Sequence, residues 1–258
     1  MNAPNQHAGL TLAERIVAAP VLMDRPAALA RVEEWLATQD ESHAAPLRSL
    51  FAAKPIVGTL IAGLAESSPF LWGLVTADPA RLLALMNAEP DARLAACLAG
   101  HGKAVAGTDD IDRAMRLLRQ MKAEAALLIA LADIGGVWPV MRATRALTDL
   151  ADTAVDVAAR FALAEAARAG KLKPNDISEP QIGSGYIVLA MGKMGAFELN
   201  YSSDIDLIVF FDPDIAPLVD GAEPAPTFVR ITQRVVKLLQ EHTGDGYVFR
   251  TDLRTQCA

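Results

Sequence analysis

The chain has 258 residues, of which 52% are hydrophobic and 5% aromatic, and a formal charge of −7. That length holds one large domain or two ordinary ones, and an acidic chain without a basic stripe is not a general nucleic-acid binder. Its two cysteines, Cys97 and Cys257, lie far apart with no partners at metal spacing, so no disulfide framework is indicated and a reducing compartment fits.

Residues 1–9 read as a loose leader, with no basic stretch followed by an apolar core and hence no signal peptide. From Leu10 to about Arg168 the apolar spacing is helical. Leu12, Ile16 and Val17 share a face, and Ala30–Gln39 places Val32 and Trp35–Leu36 together. Pro46, Pro55, Pro69, Pro79 and Pro90 punctuate this stretch, each able to start or end a short helix. Asp78-Pro79 predicts a capped start, continued by Arg81–Asn87. Longer helices are expected over Ile111–Ala130 and Trp138–Ala169, broken by Gly135-Gly136 and closed by Gly170. The most apolar run, Ala125–Ala132, is far short of the roughly 20 residues of a bilayer span. A soluble cytoplasmic protein without a membrane partner is expected.

Residues 171–185 turn polar, with two prolines and two glycines, and mark the expected boundary between a helical region (1–175) and a second domain (176–258). Strands are predicted at Tyr186–Met191, Asp204–Phe211 and Tyr247–Arg254. An amphipathic helix is predicted over Thr227–His242, after a proline-rich acidic loop at 215–225. The fold class is therefore α+β. The final residues, Thr255 to Ala258, supply no covering element, so the sheet is expected to be incomplete at its C-terminus and the chain to be a piece of a longer one. Trp35, Trp72 and Trp138 sit in apolar patterns and read as core. His7, His43, His101 and His242 are scattered and read as surface or helix-end residues.

The chemistry concentrates in YIVLAMGKMGAFELNYSSDIDLIVFFD, residues 186–212. Asp204 and Asp206 are two apart, so both carboxylates project from one face of an extended chain. Asp252 can face the same pocket if its strand pairs beside theirs. Three carboxylates can hold divalent ions, Mg²⁺ here, and clamp the entering and leaving oxygens of an in-line displacement. Arg250 and Arg254 share a strand face with Asp252 and could reach a phosphate. An Asp-x-Asp alone is common at strand starts; the Gly192–Gly195 loop upstream, at nucleotidyltransferase spacing, sharpens it. Gly183-Ser184-Gly185 reads as a turn into the strand.

Three pieces, Met191-Gly192-Lys193-Met194-Gly195, Glu198-Leu199-Asn200 and Ser203-Asp204-Ile205-Asp206-Leu207-Ile208, closely resemble the signature of the glutamine synthetase adenylyltransferase family. Gly246–Arg254 resembles the family's later strand with its third acid. Ser68–Leu71 with Asp78-Pro79, and Arg119–Asp133 followed by Leu147–Ala151, resemble its helical N-terminal region. The resemblance implies a polymerase-beta-like nucleotidyltransferase sheet in 176–258. Asp204, Asp206 and Asp252 would be catalytic and hold Mg²⁺, and Gly192, Lys193, Ser203, Arg250 and Arg254 would meet the nucleotide phosphates. It further implies that full-length members carry two such units. The N-terminal unit removes AMP from a tyrosine of glutamine synthetase by phosphorolysis, giving ADP; the C-terminal unit attaches AMP from ATP. A PII-type signalling protein and glutamine set the direction. With a natural start and one unit, the chain is expected to be the adenylyl-removing half. Where the family continues with an arginine-proline ending, Thr255-Gln256-Cys257-Ala258 departs from it. Two alternatives stand beside this reading: a non-catalytic helical module that docks on glutamine synthetase or PII, and a nucleotidyltransferase of the same superfamily with another substrate.

Overall fold

The computed structural model describes residues 9–257, with side chains through Leu253. The expected leader, His7, and the side chains of Arg254 and Cys257 lie outside the described residues. Helices come first: α1 Leu12–Arg15, α2 Arg25–Ala37, α3 Glu41–Ala53, α4 Pro55–Ser67, α5 Pro69–Ala77, α6 Pro79–Met86, α7 Pro90–Ala106, α8 Ile111–Ile134 and α9 Val140–Arg168. Then follow β1 Tyr186–Ala190, α10 Gly192–Gly195, β2 Ile205–Phe211, α11 Pro224–Gln240 and β3 Thr251–Cys257. The class is α+β. Among the described residues no single helix is long and apolar enough to cross a bilayer; α3 and α4 pass such a test only as a pair bent by 115°.

Proline sets the starts. Pro55, Pro69, Pro79 and Pro90 each open a helix, where the missing N–H would have had no partner. Asp78 caps α6 by accepting from the Arg81 amide at 2.8 Å, and Ser68 caps α5 through the Leu71 amide at 3.3 Å. Pro46 departs from expectation. It neither starts nor ends a helix but lies inside α3, which forfeits one hydrogen bond there.

The described chain divides into two compact units: residues up to Cys97 with Ala123–Ala143, and Leu98–Lys122 with Thr144 onward. The division does not coincide with the polar stretch 171–185. In the first unit α4 is the buried centre, with Val57, Leu60 and Ile61 at 0% exposure and α2, α3 and α5 packed on it. Trp35 and Trp72 meet edge-to-face at 5.5 Å there, and both are buried, as is Trp138.

The second unit contains the sheet, in the order β1-β2-β3, with β1 antiparallel and β3 parallel to β2. A parallel neighbour needs a crossover, and α11 supplies it. Its Phe228, Ile231, Val235, Leu238 and Leu239 are buried. The Phe228 ring stacks on Phe211 at 4.9 Å and on Tyr186 at 6.1 Å, while the Tyr186 hydroxyl meets Thr232 Oγ1 at 3.0 Å. Burial alternates along β2, and on β1 Ile187 and Leu189 remain 49% and 45% exposed. One face of the sheet is thus covered and the other open.

Three predicted boundaries move. β1 ends at Ala190, because Met191 caps the single turn of α10, which replaces the expected loop. The helix predicted over Thr227–His242 begins earlier, at Pro224, and ends at Gln240. The third strand begins at Thr251, not Tyr247. The backbone before it is committed elsewhere: the Val248 and Phe249 amides both donate to the Leu239 carbonyl, at 2.9 and 3.0 Å. Arg119, only 2% exposed on α8, donates to the carbonyls of Gly246 (2.8 Å), Leu238 (3.2 Å) and Met115 (2.9 Å), and also to that of Glu241. Lys122, one turn on, donates to the Val248 carbonyl. Pairing with β2 starts where these anchors end, at Ile205 opposite Thr251, and runs to Phe211 opposite Cys257.

Replacing Arg119 with Met keeps the packing volume but removes the donor from three carbonyls outside α8, the Leu238 one buried. We expect a stability loss of about 2–4 kcal/mol, read as a lower urea midpoint by circular dichroism. An unchanged midpoint would show that those carbonyls find other donors.

Candidate active site

The parallel register places Asp206 directly opposite Asp252. Cross-strand partners point to the same face, so Asp204, Asp206, Arg250 and Asp252 all project from the open side of the sheet. Asp206 and Asp252 line a cavity of ≈ 270 Å³ together with Met191, Gly192, Leu207 and Ile208. Asp204 is not part of its lining. Its carboxylate accepts from Arg250 Nε, and the same guanidinium donates to the Ser202 carbonyl at 3.2 Å. Among the described residues no three His, Cys, Asp or Glu side chains are gathered as a metal-holding set.

The loop before β2 is shaped to admit the Asp206 carboxylate. Gly192 has φ +54°, and a Cβ there would lie 2.7 Å from Asp206 Oδ2. Only glycine leaves this space and takes this conformation at little cost. The Met191 amide donates to the Asp206 carbonyl at 2.8 Å, which fixes the start of α10 against β2. Gly195 is equally constrained, since a Cβ would meet the Ala190 carbonyl at 2.4 Å. After α10 the chain closes with the Glu198 amide on the Lys193 carbonyl (2.8 Å) and the Phe197 amide on the Met194 carbonyl (3.1 Å). This is the helix-ending motif that usually takes glycine at its left-handed position. Here Phe197 fills it, at φ +59°, with the Arg145 guanidinium over its ring at 4.3 Å. Leu199, fully buried, anchors the following turn, its amide donating to Thr148 Oγ1 at 3.4 Å.

The expected phosphate contacts are partly assembled. Lys193 Nζ lies 3.5 Å from Ser203 Oγ, which donates to Asn200 Oδ1 at 2.5 Å. Gly192 lines the cavity, Arg250 is engaged with Asp204, and the Arg254 side chain lies outside the described residues. Sequence reasoning missed Arg119 and Lys122 as the groups that set the approach to Asp252. A cation inside an apolar helical face at 119 was the available signal.

Asp206 and Asp252 face each other as like charges, and among the described residues no Lys or Arg lies within ion-pair distance of either. Two hard carboxylates on one face of a small cavity, with a glycine keeping the approach clear, fit a magnesium ion, which takes one or two carboxylates beside water and phosphate oxygens. Nearby, burial pushes the Lys122 ammonium down to about 8, with Arg119 and Arg250 adding to the shift. Lys122 lies 4.5 Å from the Tyr247 ring centre and 5.1 Å from that of Phe249.

Comparison with known proteins gives one consistent result. The model of the family Glutamate-ammonia ligase adenylyltransferase matches residues 58–256. A protein of Bradyrhizobium sp. (strain BTAi1), named bifunctional glutamine synthetase adenylyltransferase/adenylyl-removing enzyme, is 53% identical over 254 residues, 98% of this chain and 26% of its own length. A relative of the same name from Bradyrhizobium diazoefficiens is 52% identical over 246 residues, 95% of this chain and 25% of its own. One from Xanthobacter autotrophicus is 49% identical over 236 residues, 92% of this chain and 24% of its own. The chain spans about a quarter of the length of these curated relatives.

Two outcomes test this geometry. Gly192→Ala should destabilise by about 1–2 kcal/mol, and part of that loss should vanish in an Asp206→Ala background, where the contacted oxygen is gone. Thermal unfolding of the double-mutant cycle measures the coupling. For Lys122, the folded pKa of about 8 lies below the unfolded value of 10.5. Between these the unfolded state binds more protons, so this group makes stability rise with pH from about 8 towards 10.5. The difference in urea midpoint between the parent and Lys122→Met should therefore shift in the parent's favour as pH rises from 8. A difference independent of pH would remove the assigned burial.

Proposed function

Because the chain belongs to the Glutamate-ammonia ligase adenylyltransferase family, we propose that it is a nucleotidyl-transfer unit acting on glutamine synthetase, and that its reaction is phosphorolytic removal of AMP from the adenylylated tyrosine, giving ADP. The observation that carries this reading is the facing pair Asp206 and Asp252 beside Gly192. The removal direction rests on the likeness of the helices before the sheet to the N-terminal region of the family.

In this reading Asp206 and Asp252, with Asp204 where Arg250 releases it, hold Mg²⁺, whose charge offsets repulsion between phosphate and the AMP phosphorus and stabilises the departing tyrosyl oxygen. The protein's own groups do the positioning. Phosphate is already anionic near neutral pH, so no strong general base is required. Backbone at Gly192 approaches the phosphates closely because no side chain intervenes. Lys193 provides a point charge and Ser203 a hydroxyl on the same side of the loop, and Arg250 and Arg254 offer forks for phosphate oxygens. A PII-type protein is proposed as regulator, and the polymerase-beta-like sheet and cytoplasmic setting are proposed with the function. The docking alternative draws on the Arg250–Asp204 pair, which keeps one carboxylate away from the other two.

The test is direct. The chain is incubated with adenylylated glutamine synthetase, phosphate and Mg²⁺, and ADP is measured. Unmodified glutamine synthetase with ATP is assayed in parallel for AMP incorporation. ADP release that falls about 100-fold or more in Asp206→Asn and in Asp252→Asn is expected. Release indifferent to both substitutions would overturn the assigned site. AMP incorporation in place of release would overturn the direction. Binding of glutamine synthetase with neither product would favour the docking module.

A further inference from the structure

Away from the acidic pair, the second unit contains a larger cavity of ≈ 510 Å³ between the end of α9 and α11. Its construction is regular. Ala162 and Ala166 follow one another at helical spacing along α9, Ala169 comes just past its end, and the three small side chains leave the volume open. Facing them, Arg230, Arg234 and Lys237 follow the same spacing along α11, and Lys171, just past the end of α9, adds a fourth cation. Glu165 is the single carboxylate in the lining. It is taken up by Arg234, at 2.6 Å, and Lys237 lies 3.5 Å from Glu241. Arg230 and Lys171 have no carboxylate within ion-pair distance among the described residues, and both are exposed.

In a chain of net charge −7, four cations line one cavity, two paired with Glu165 and Glu241 and two, Arg230 and Lys171, without a carboxylate partner among the described residues, which is a local reversal of sign. Such a reversal on a concave surface concentrates anions. The volume is that of a small-ligand pocket, within the range of roughly 300–1,000 Å³ such sites occupy. The Arg230 fork and the Lys171 ammonium suit the oxygens of a phosphate chain, the fork by paired N–H donors and the lysine as a point charge, with the paired Arg234 and Lys237 adding positive potential. Thr227 and Gln233, also in the lining, add neutral hydrogen-bonding groups for the rest of a ligand.

We propose that this cavity is a binding site for a small phosphate-bearing polyanion, separate from the carboxylate centre and independent of any divalent ion. It does not rest on the function proposed above. Its ligand is recognised by charge and by the oxygen geometry of linked phosphates, with Arg230 and Lys171 as the free receptors and Arg234 positioned through Glu165.

The experiment is isothermal titration of the 258-residue chain with inorganic pyrophosphate in the presence of EDTA, so that no metal-dependent binding at Asp206 and Asp252 contributes. Saturable binding is expected, weakened roughly tenfold or more in Arg230→Ala/Lys171→Ala and unaltered in Asp206→Asn. Both replaced side chains are exposed, and an unchanged circular dichroism spectrum verifies the fold. Arg230→Lys, which keeps the charge and loses the fork, should fall between the two. No binding, equal binding by the double variant, loss of binding in Asp206→Asn, or tighter binding of citrate than of pyrophosphate would each overturn the proposal.

Discussion

The position of β3 depends on two cations of α8 that bond to backbone rather than to acids. Arg119 is buried, and outside its own helix it satisfies carbonyls at Leu238, Glu241 and Gly246; Lys122 satisfies Val248. A buried charge is tolerable only when its hydrogen-bonding capacity is used, and here the end of α11 and the turn after it supply the acceptors. The consequence reaches the site. Once 246–249 is fastened to α8 and to Leu239, Thr251 can meet only Ile205, and Asp252 then has only Asp206 opposite it. A slip of one residue would turn Asp252 to the covered face of the sheet.

That dependence explains what the sequence could and could not reveal. Helix starts were legible because their causes are local: Asp78 and Ser68 cap within three residues, and proline is tolerated at a first turn. β2 was legible as a short, nearly continuous apolar run, Ile205–Phe211, closed by Asp212-Pro213, although its burial alternates. The true start of β3 was not. GYVFRTDLR has strand-like composition throughout, and it is divided at Thr251 by the Val248 and Phe249 amides on Leu239 together with bonds from Arg119 and Lys122, over a hundred positions earlier. The pairing of Asp204 with Arg250 likewise depends on a partner that periodicity cannot register. The identities of the acids could be read in advance, but which two of the three share a cavity required the fold.

The two faces of the sheet carry different things, apolar packing on one and charge on the other. The covered face is an aromatic and aliphatic layer, Tyr186 and Phe211 against Phe228, whose one polar handle, the Tyr186 hydroxyl, is met by Thr232. Such a layer holds strands at fixed spacing without placing charge in the core. The open face can then carry four charged groups in two rows, Asp204 with Arg250 and Asp206 with Asp252. The loop over it tolerates a bulky residue at positive φ, Phe197, because the Arg145 guanidinium stacks on the ring and the backbone closes in two hydrogen bonds. Strain is thereby confined to the segment that joins Gly192 to β2.

The two rows are not equivalent electrostatically, and their difference sets Asp206 and Asp252 apart from the Asp204–Arg250 pair. Asp204 and Arg250 neutralise each other in an exposed pair, which contributes little to stability. Among the described residues Asp206 and Asp252 have no such partner, and like charges set directly across two strands are unfavourable. A core-forming sequence would relieve that repulsion by a single substitution on either strand. Instead Gly192 accepts a left-handed conformation and forgoes a side chain to keep Asp206 accessible from the cavity. Two local costs, one electrostatic and one conformational, meet at the same carboxylate, and the cation proposed for this cavity would offset the electrostatic one.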